Sequence, residues 1–244
     1  MATMTPAGDP AAAERRFYTG MAIAILAVVF VGFARSFFLR PWFPDHPAPP
    51  ERFFTVHGLA FAAWIVLLVT QASFVRAGRV DLHRKLGMAG AGLALAMLVL
   101  GVWGALIAAK RSTGFVDIPV PPLQFLIVPF ADLLLFATFV AYAIARRGDP
   151  QAHKRAMLLA TISILGAAVA RLPGLAALGP PAFFGLTDLF IVAIGVWDWR
   201  TRGRLHPVTL WGGLALIVSQ PLRLAVMGTE GWLAFARWAT GLIG

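Results

Sequence analysis

Of the 244 residues, 59% are hydrophobic and only 13% charged, about half the charged share of a water-soluble domain, so the composition excludes an ordinary soluble fold and points to lipid as the solvent. The formal net charge of +10 does not indicate a nucleic-acid partner, because Lys and Arg sit in short loops between apolar runs and build no basic face. With no Cys in the chain, disulfides, thiolate metal sites, Cys nucleophiles and covalent haem attachment are all ruled out.

Residues 1–16, rich in Ala, Pro and Thr at the start and ending on Arg15-Arg16, read as a flexible cytoplasmic tail. The apolar run 17–38 is longer than the core of a signal peptide and has no small-x-small cleavage site after it, so it reads as a retained first helix. Further spans follow at 53–75, 86–109, 120–145, 156–172, 181–197 and 208–227, each near the roughly 20 residues that cross hydrocarbon. The fifth and sixth are the shortest. Gly78, Gly114, Gly148-Asp149-Pro150, Pro173-Gly174 and Gly203 mark the turns between them. Residues 229–244 form an amphipathic tail expected on the outer surface. The fold class is therefore an all-α membrane protein, with residues 17–228 as a seven-helix transmembrane bundle. Thirteen Lys and Arg flank the spans on the N-terminal side against seven on the other, with Arg223 inside the last span. The positive-inside rule then puts the N-terminus in and the C-terminus out, in a bacterial inner membrane.

The three loops on the N-terminal side resemble one another. Each supplies Arg, Gly and then a His that opens the next span: Gly78 to His83, Gly148 to His153, and, at a shorter separation, Gly203 to His206. Asp132 and Asp188 precede the second and third of these loops, and Arg171 and Arg223 follow them, at matched places. After the first helix the chain reads as three helix-hairpin repeats running parallel.

Two constellations carry candidate chemistry. His83, His153 and His206 lie at one end of three helices, where imidazoles are suited to hold a transition metal or, as an axial pair, a haem. Arg84 and Arg155 stand next to two of them, placed to meet haem propionates. The bland alternative is that these basic clusters bind lipid headgroups. The second constellation is His57, Gln124, Asp132, Arg171, Asp188, Gln220 and Arg223, polar residues toward the outer half of the membrane. Intramembrane charges are costly and normally pair. Each Asp is thus expected to be ionised against an Arg, either locking hairpins together or lining a cavity for a small polar or anionic solute. His46, in the Pro-rich loop, reads as solvated, and Trp64 as a packing residue.

The stretches Val56-His57-Gly58, Leu82-His83-Arg84-Lys85-Leu86-Gly87 and Ala152-His153-Lys154-Arg155 resemble families of small multi-spanning bacterial inner-membrane proteins. Those families carry a Leu-His-Arg-x-Leu-Gly signature, and some look like membrane cytochromes or oxidase-assembly factors. The resemblance covers most of the chain after Phe17; the families have no settled activity to carry over, but the likeness adds to the reading of a haem or metal at the histidines, with a respiratory or other membrane complex as the expected partner. Seven-helix zinc hydrolases related to adiponectin receptors share the expected topology, but their His-x-x-x-His pair on the last helix is missing here. Three readings follow: a haem- or metal-binding membrane protein, a transporter or receptor using the Asp and Arg residues, and a structural subunit. No catalytic residue is assigned.

Overall fold

The computed structural model describes residues 9–45, 52–115 and 118–243, so His46 lies outside the described part. Among the described residues there are helices and turns but no strand. Helix α1 (Pro10–Phe33) runs on through a π-helical turn (Ala34–Phe38), and is followed by α2 (Arg52–Arg76) and α3 (Val80–Lys110). A short α4 (Pro122–Phe125) leads into α5 (Ile127–Ala145); α6 (Pro150–Ser163) and the single turn α7 (Gly166–Val169) come next. The chain closes with α8 (Pro180–Arg202), α9 (Pro207–Val226) and α10 (Glu230–Gly241). Six helical stretches are long and apolar enough to cross a bilayer: Pro10–Phe38, Arg52–Arg76, Val80–Lys110, Pro122–Ala145, Pro180–Arg202 and Pro207–Val226. These are the marks of a multi-pass membrane protein, since a helix satisfies its own backbone hydrogen bonds in lipid.

Local chemistry sets the helix ends. Asp9 caps α1 by accepting from the Ala11 amide, with Pro10 at the first helical position. The helix therefore begins seven residues inside the stretch expected to be a tail, and Ala11-Ala12-Ala13-Glu14 propagate it. Asp149 and Pro150 repeat the device at α6, where the carboxylate accepts from Gln151 and Ala152. Gly203, at φ 67°, supplies the left-handed residue that ends α8. Thr229 caps α10, which packs on α3 and α4 with the Trp232 indole donating to the Leu123 carbonyl at 2.9 Å.

The fifth predicted span is where sequence and structure differ. Residues 156–172 were expected as one helix, yet α6 stops at Ser163 and resumes for one turn at Gly166. The Ser163 hydroxyl donates to the Ala160 carbonyl at 2.7 Å, the local back-bonding that loosens a helix, and Pro173 and Gly174 prevent any further extension. This segment is also the most enclosed: residues 158–163 are all buried, and α6 packs against α5, α8 and α9. Deeper in the same core the Trp64 indole donates to the Thr161 hydroxyl at 3.1 Å and meets the edge of Phe136, so it packs as expected.

The broken α6–α7 segment nonetheless runs the height of α1. At one end Gln151 and Lys154 bond to Glu14; at the other Gly32 faces Ala168. A Cβ at Gly32 would overlap the Ala168 carbonyl oxygen and stand 2.9 Å from its carbonyl carbon, a close approach that only a glycine permits. Gly32→Ala should accordingly destabilise the detergent-solubilised protein by roughly 1–3 kcal/mol. Gly20→Ala, where a Cβ meets nothing within 4 Å, is the control. Equal thermal-unfolding midpoints for the two variants would show that α1 and α7 do not touch this closely.

Candidate functional site

His83 and His153 occupy the same place in their helices, each the fourth residue of α3 and α6 respectively. Their rings meet edge to face with centroids 6.1 Å apart and planes at 87°. The His153 Nδ1–H donates to the Ala143 carbonyl at 2.8 Å, which fixes the ring and leaves Nε2 as its free nitrogen. The Nδ1 of His83 is buried with no hydrogen-bond partner. Beside it Gln71 of α2 donates its amide to the His83 carbonyl at 3.2 Å, while its own side-chain oxygen is buried and unpartnered. The sequence reading did not single out Gln71.

His206 does not join this pair. It is the N-cap of α9, where its Nδ1 accepts from the Val208 amide at 3.1 Å. The shorter loop, three residues from Gly203 where the others have five, leaves His206 just outside its helix and the other two one turn inside theirs. Among the described residues no group of three or more His, Asp or Glu side chains is placed to hold a metal ion.

Arg155 has a different occupation from the one expected. It is wholly buried, 0% exposed, as is Asp198. Its Nε reaches both Asp198 oxygens, at 3.1 and 3.2 Å, and Nη2 donates to Oδ1 as well. The Nη1 nitrogen donates to the backbone and side-chain oxygens of Gln151 at 2.9 and 2.7 Å. Asp198 also accepts from the His206 amide at 3.1 Å and the Thr209 hydroxyl at 2.6 Å. The guanidinium is thus engaged inside the protein and is not presented to a propionate, whereas Arg84 is exposed. The span expected at 181–197 stops one residue short of Asp198, whereas α8 continues to Arg202. An acid standing between Trp197 and Trp199 was the available signal.

The intramembrane constellation is partly assembled. Asp132 of α5 is ion-paired with Arg223 of α9, whose Nη2 also donates to Ser219 at 2.9 Å. Asp188 of α8 makes no ion pair with an arginine among the described residues: Gln220 donates its amide to it at 2.7 Å. That corrects the expectation of two Asp–Arg pairs. The remaining Arg171 donates to the Ala167 carbonyl and lies over Phe33, on the wall of a separate cavity of about 960 Å³ toward the end of α1. Asp132, Asp188, Gln220 and Arg223 line a small cavity of about 20 Å³ between α5, α6, α8 and α9. His57 is elsewhere, packed at the α2–α3 contact, with Nδ1 donating to the Leu100 carbonyl at 3.2 Å and its ring stacked on Phe61. Gln124, on α4, is not part of the cavity lining.

The fold and its polar groups define a class, a multi-pass helical membrane protein with a histidine pair at one end and a polar cavity within the bundle. Comparison with known proteins adds no relative: the chain matches no family model, no curated protein and no solved structure.

The capping role of His206 gives it a pH signature. Burial, followed by the positive charges of Arg155 and Arg202, holds its pKa below the ordinary imidazole value. As pH falls, the unfolded chain takes up this proton first, so the stability contributed by neutral His206 is present above about pH 6.5 and lost below it. His206→Asn keeps an acceptor at the cap and removes the titration. Thermal stability of that variant should fall less than that of the wild type between about pH 7.5 and about pH 5. Parallel curves would assign the pH dependence to other groups.

Proposed function

We propose that the protein is a seven-span membrane haem protein in which His83 and His153 would hold the haem. The observation that carries this reading is the relation of the two rings. The two side chains meet at one end of the bundle with ring centroids 6.1 Å apart, so a single group could be held by both. The group fits the donor set: two nitrogen ligands complete a haem, whose macrocycle supplies the other four, whereas a bare metal ion would need further protein ligands that this pair does not bring. The anchored Nδ1 of His153 and the unpartnered, buried Nδ1 of His83 also fit ligands that await a group. Bound there, haem would supply reversible one-electron transfer, and the protein would serve a respiratory or other membrane redox complex. The exposed cations Arg84 and Lys85, one turn from His83 or less, are the propionate partners in this reading.

Purified in mild detergent from haem-replete cells, the wild type and His206→Ala should both show the sharp reduced-state α band of a six-coordinate haem. His83→Ala and His153→Ala should lose it. A wild type that carries no haem, or haem retained by both of those variants, defeats the assignment.

The same reading includes seven crossings with the N-terminus in the cytoplasm. Asp198, near the end of α8, and Ala143, near the end of α5, both bond at the start of α6. Two successive long helices that finish on one side favour a crossing by the chain between them, and α6–α7, alongside α1, is the segment available for it. The loop histidines, and the matched Asp positions of the last two units, are consistent with three parallel hairpins, the last with its His at the helix cap. Reporter fusions after Gly148 should read as cytoplasmic, and fusions after Gly114 and Gly174 as external. A cytoplasmic signal at Gly174 would reduce the crossings to six.

A further inference from the structure

We infer that Asp188 is a proton-binding site inside the membrane, held as the neutral acid in the resting protein and reached through the small cavity it shares with Arg223. Six polar side chains converge on that cavity: Asp132, Ser163, Thr187, Asp188, Gln220 and Arg223. The charged or titratable ones are Asp132 from α5, Asp188 from α8 and Arg223 from α9; α6 brings only Ser163. Two carboxylates therefore face one guanidinium.

The guanidinium is already committed. Arg223 is 4% exposed and its Nη1 is ion-paired with Asp132. Asp188 receives a single hydrogen bond, from the Gln220 amide at 2.7 Å. It is only partly covered by protein, and it lies in the third turn of a helix long and apolar enough to cross a membrane. An amide dipole does not compensate a full negative charge there, and the cost of an unpaired carboxylate in lipid is avoided when it takes up a proton. The Gln220 amide suits either state, because it donates to the remaining carbonyl oxygen of the acid as readily as to the carboxylate.

A second observation points to an occupant of the cavity. The Nε of Arg223 is buried with no partner, although Arg223 is part of the cavity wall. The volume of about 20 Å³ exceeds the ~10–15 Å³ that one water needs. A water there accepts from Arg223 Nε–H and is the immediate carrier for the proton that Asp188 releases or receives. The step balances as Asp188 carboxylic acid and bulk water giving carboxylate and bulk hydronium, the cavity water taking the proton from Asp188 as it passes one of its own outward, with the neighbouring Arg223 stabilising the carboxylate while it lasts. The site depends neither on haem nor on the histidine pair.

Infrared difference spectroscopy on the purified protein in lipid tests this. At neutral pH the wild type should show a carboxylic-acid carbonyl band that shifts in heavy water, and Asp188→Asn should lack it. Asp188→Asn replaces a neutral acid with a neutral amide, so its thermal midpoint should stay within a few degrees of the wild type, whereas Asp132→Asn, which strands Arg223, should fall well below both. The inference is overturned if no such band depends on Asp188 at neutral pH. It is equally overturned if sodium stabilises the wild type but not Asp188→Asn, which would make the site one for a metal cation.

Discussion

Arg155 is a guanidinium with no exposure to solvent or lipid, and a group of that kind is tolerated only where every donor is met. Asp198 and Gln151 between them accept from all three of its nitrogens, and the consequences reach four helices. Through Asp198 the pair holds α6 to α8; through the His206 amide and the Thr209 hydroxyl it holds the start of α9. Gln151 in turn accepts Arg155 and donates to Glu14 of α1. Stranding one charge of such a pair costs about 3–5 kcal/mol, so this end of the bundle has one arrangement available to it. His153 precedes Arg155 by two residues, and its position against His83 follows from where the ion pair pins α6.

The Asp132–Arg223 pair performs the equivalent task deeper in the bundle, joining α5 to α9. Its geometry also decides what is left over. Since Arg223 is drawn to Asp132, Asp188 is left to Gln220, and the two acids that look equivalent in the sequence have different surroundings. One is a tie between helices and the other a group without a counter-charge. Similarly, the three loop histidines resemble one another in sequence but divide into two that face each other and one that caps a helix. In both cases a repeated pattern has been put to unequal use.

The interruption between α6 and α7 belongs with this arrangement. A helix surrounded by α5, α8 and α9 is not solvated by lipid along its length, so its loosened backbone is satisfied by protein groups. Ser163 supplies one of them, donating to Ala160 and also toward the Asp132 carbonyl at 3.3 Å. The break lies at the level of the polar cavity, where Ser163 and Gly166 form part of the wall.

The sequence by itself determined that this chain lives in lipid and is helical, because long apolar runs with few charges leave no other way to satisfy the backbone. Turns at Gly78, Gly114, Asp149-Pro150 and Gly203 were also legible, as local chemistry, whereas the Asp9-Pro10 start of α1 lies seven residues inside the expected tail. The special status of His83, His153, Asp132, Asp188 and Arg223 was legible too, since ionisable groups stand out against an apolar background. Only the tertiary structure decided which of them meet. Arg155 could be read as a surface cation until α8 was seen to carry Asp198 to it, and 43 residues of sequence separate the two. Whether Asp188 finds an arginine depends on how α8 and α9 are rotated against α5, and that rotation is set by packing among helices whose apolar faces are nearly interchangeable in sequence. Hydropathy records which residues avoid water; which neighbour each one touches is decided when the helices pack.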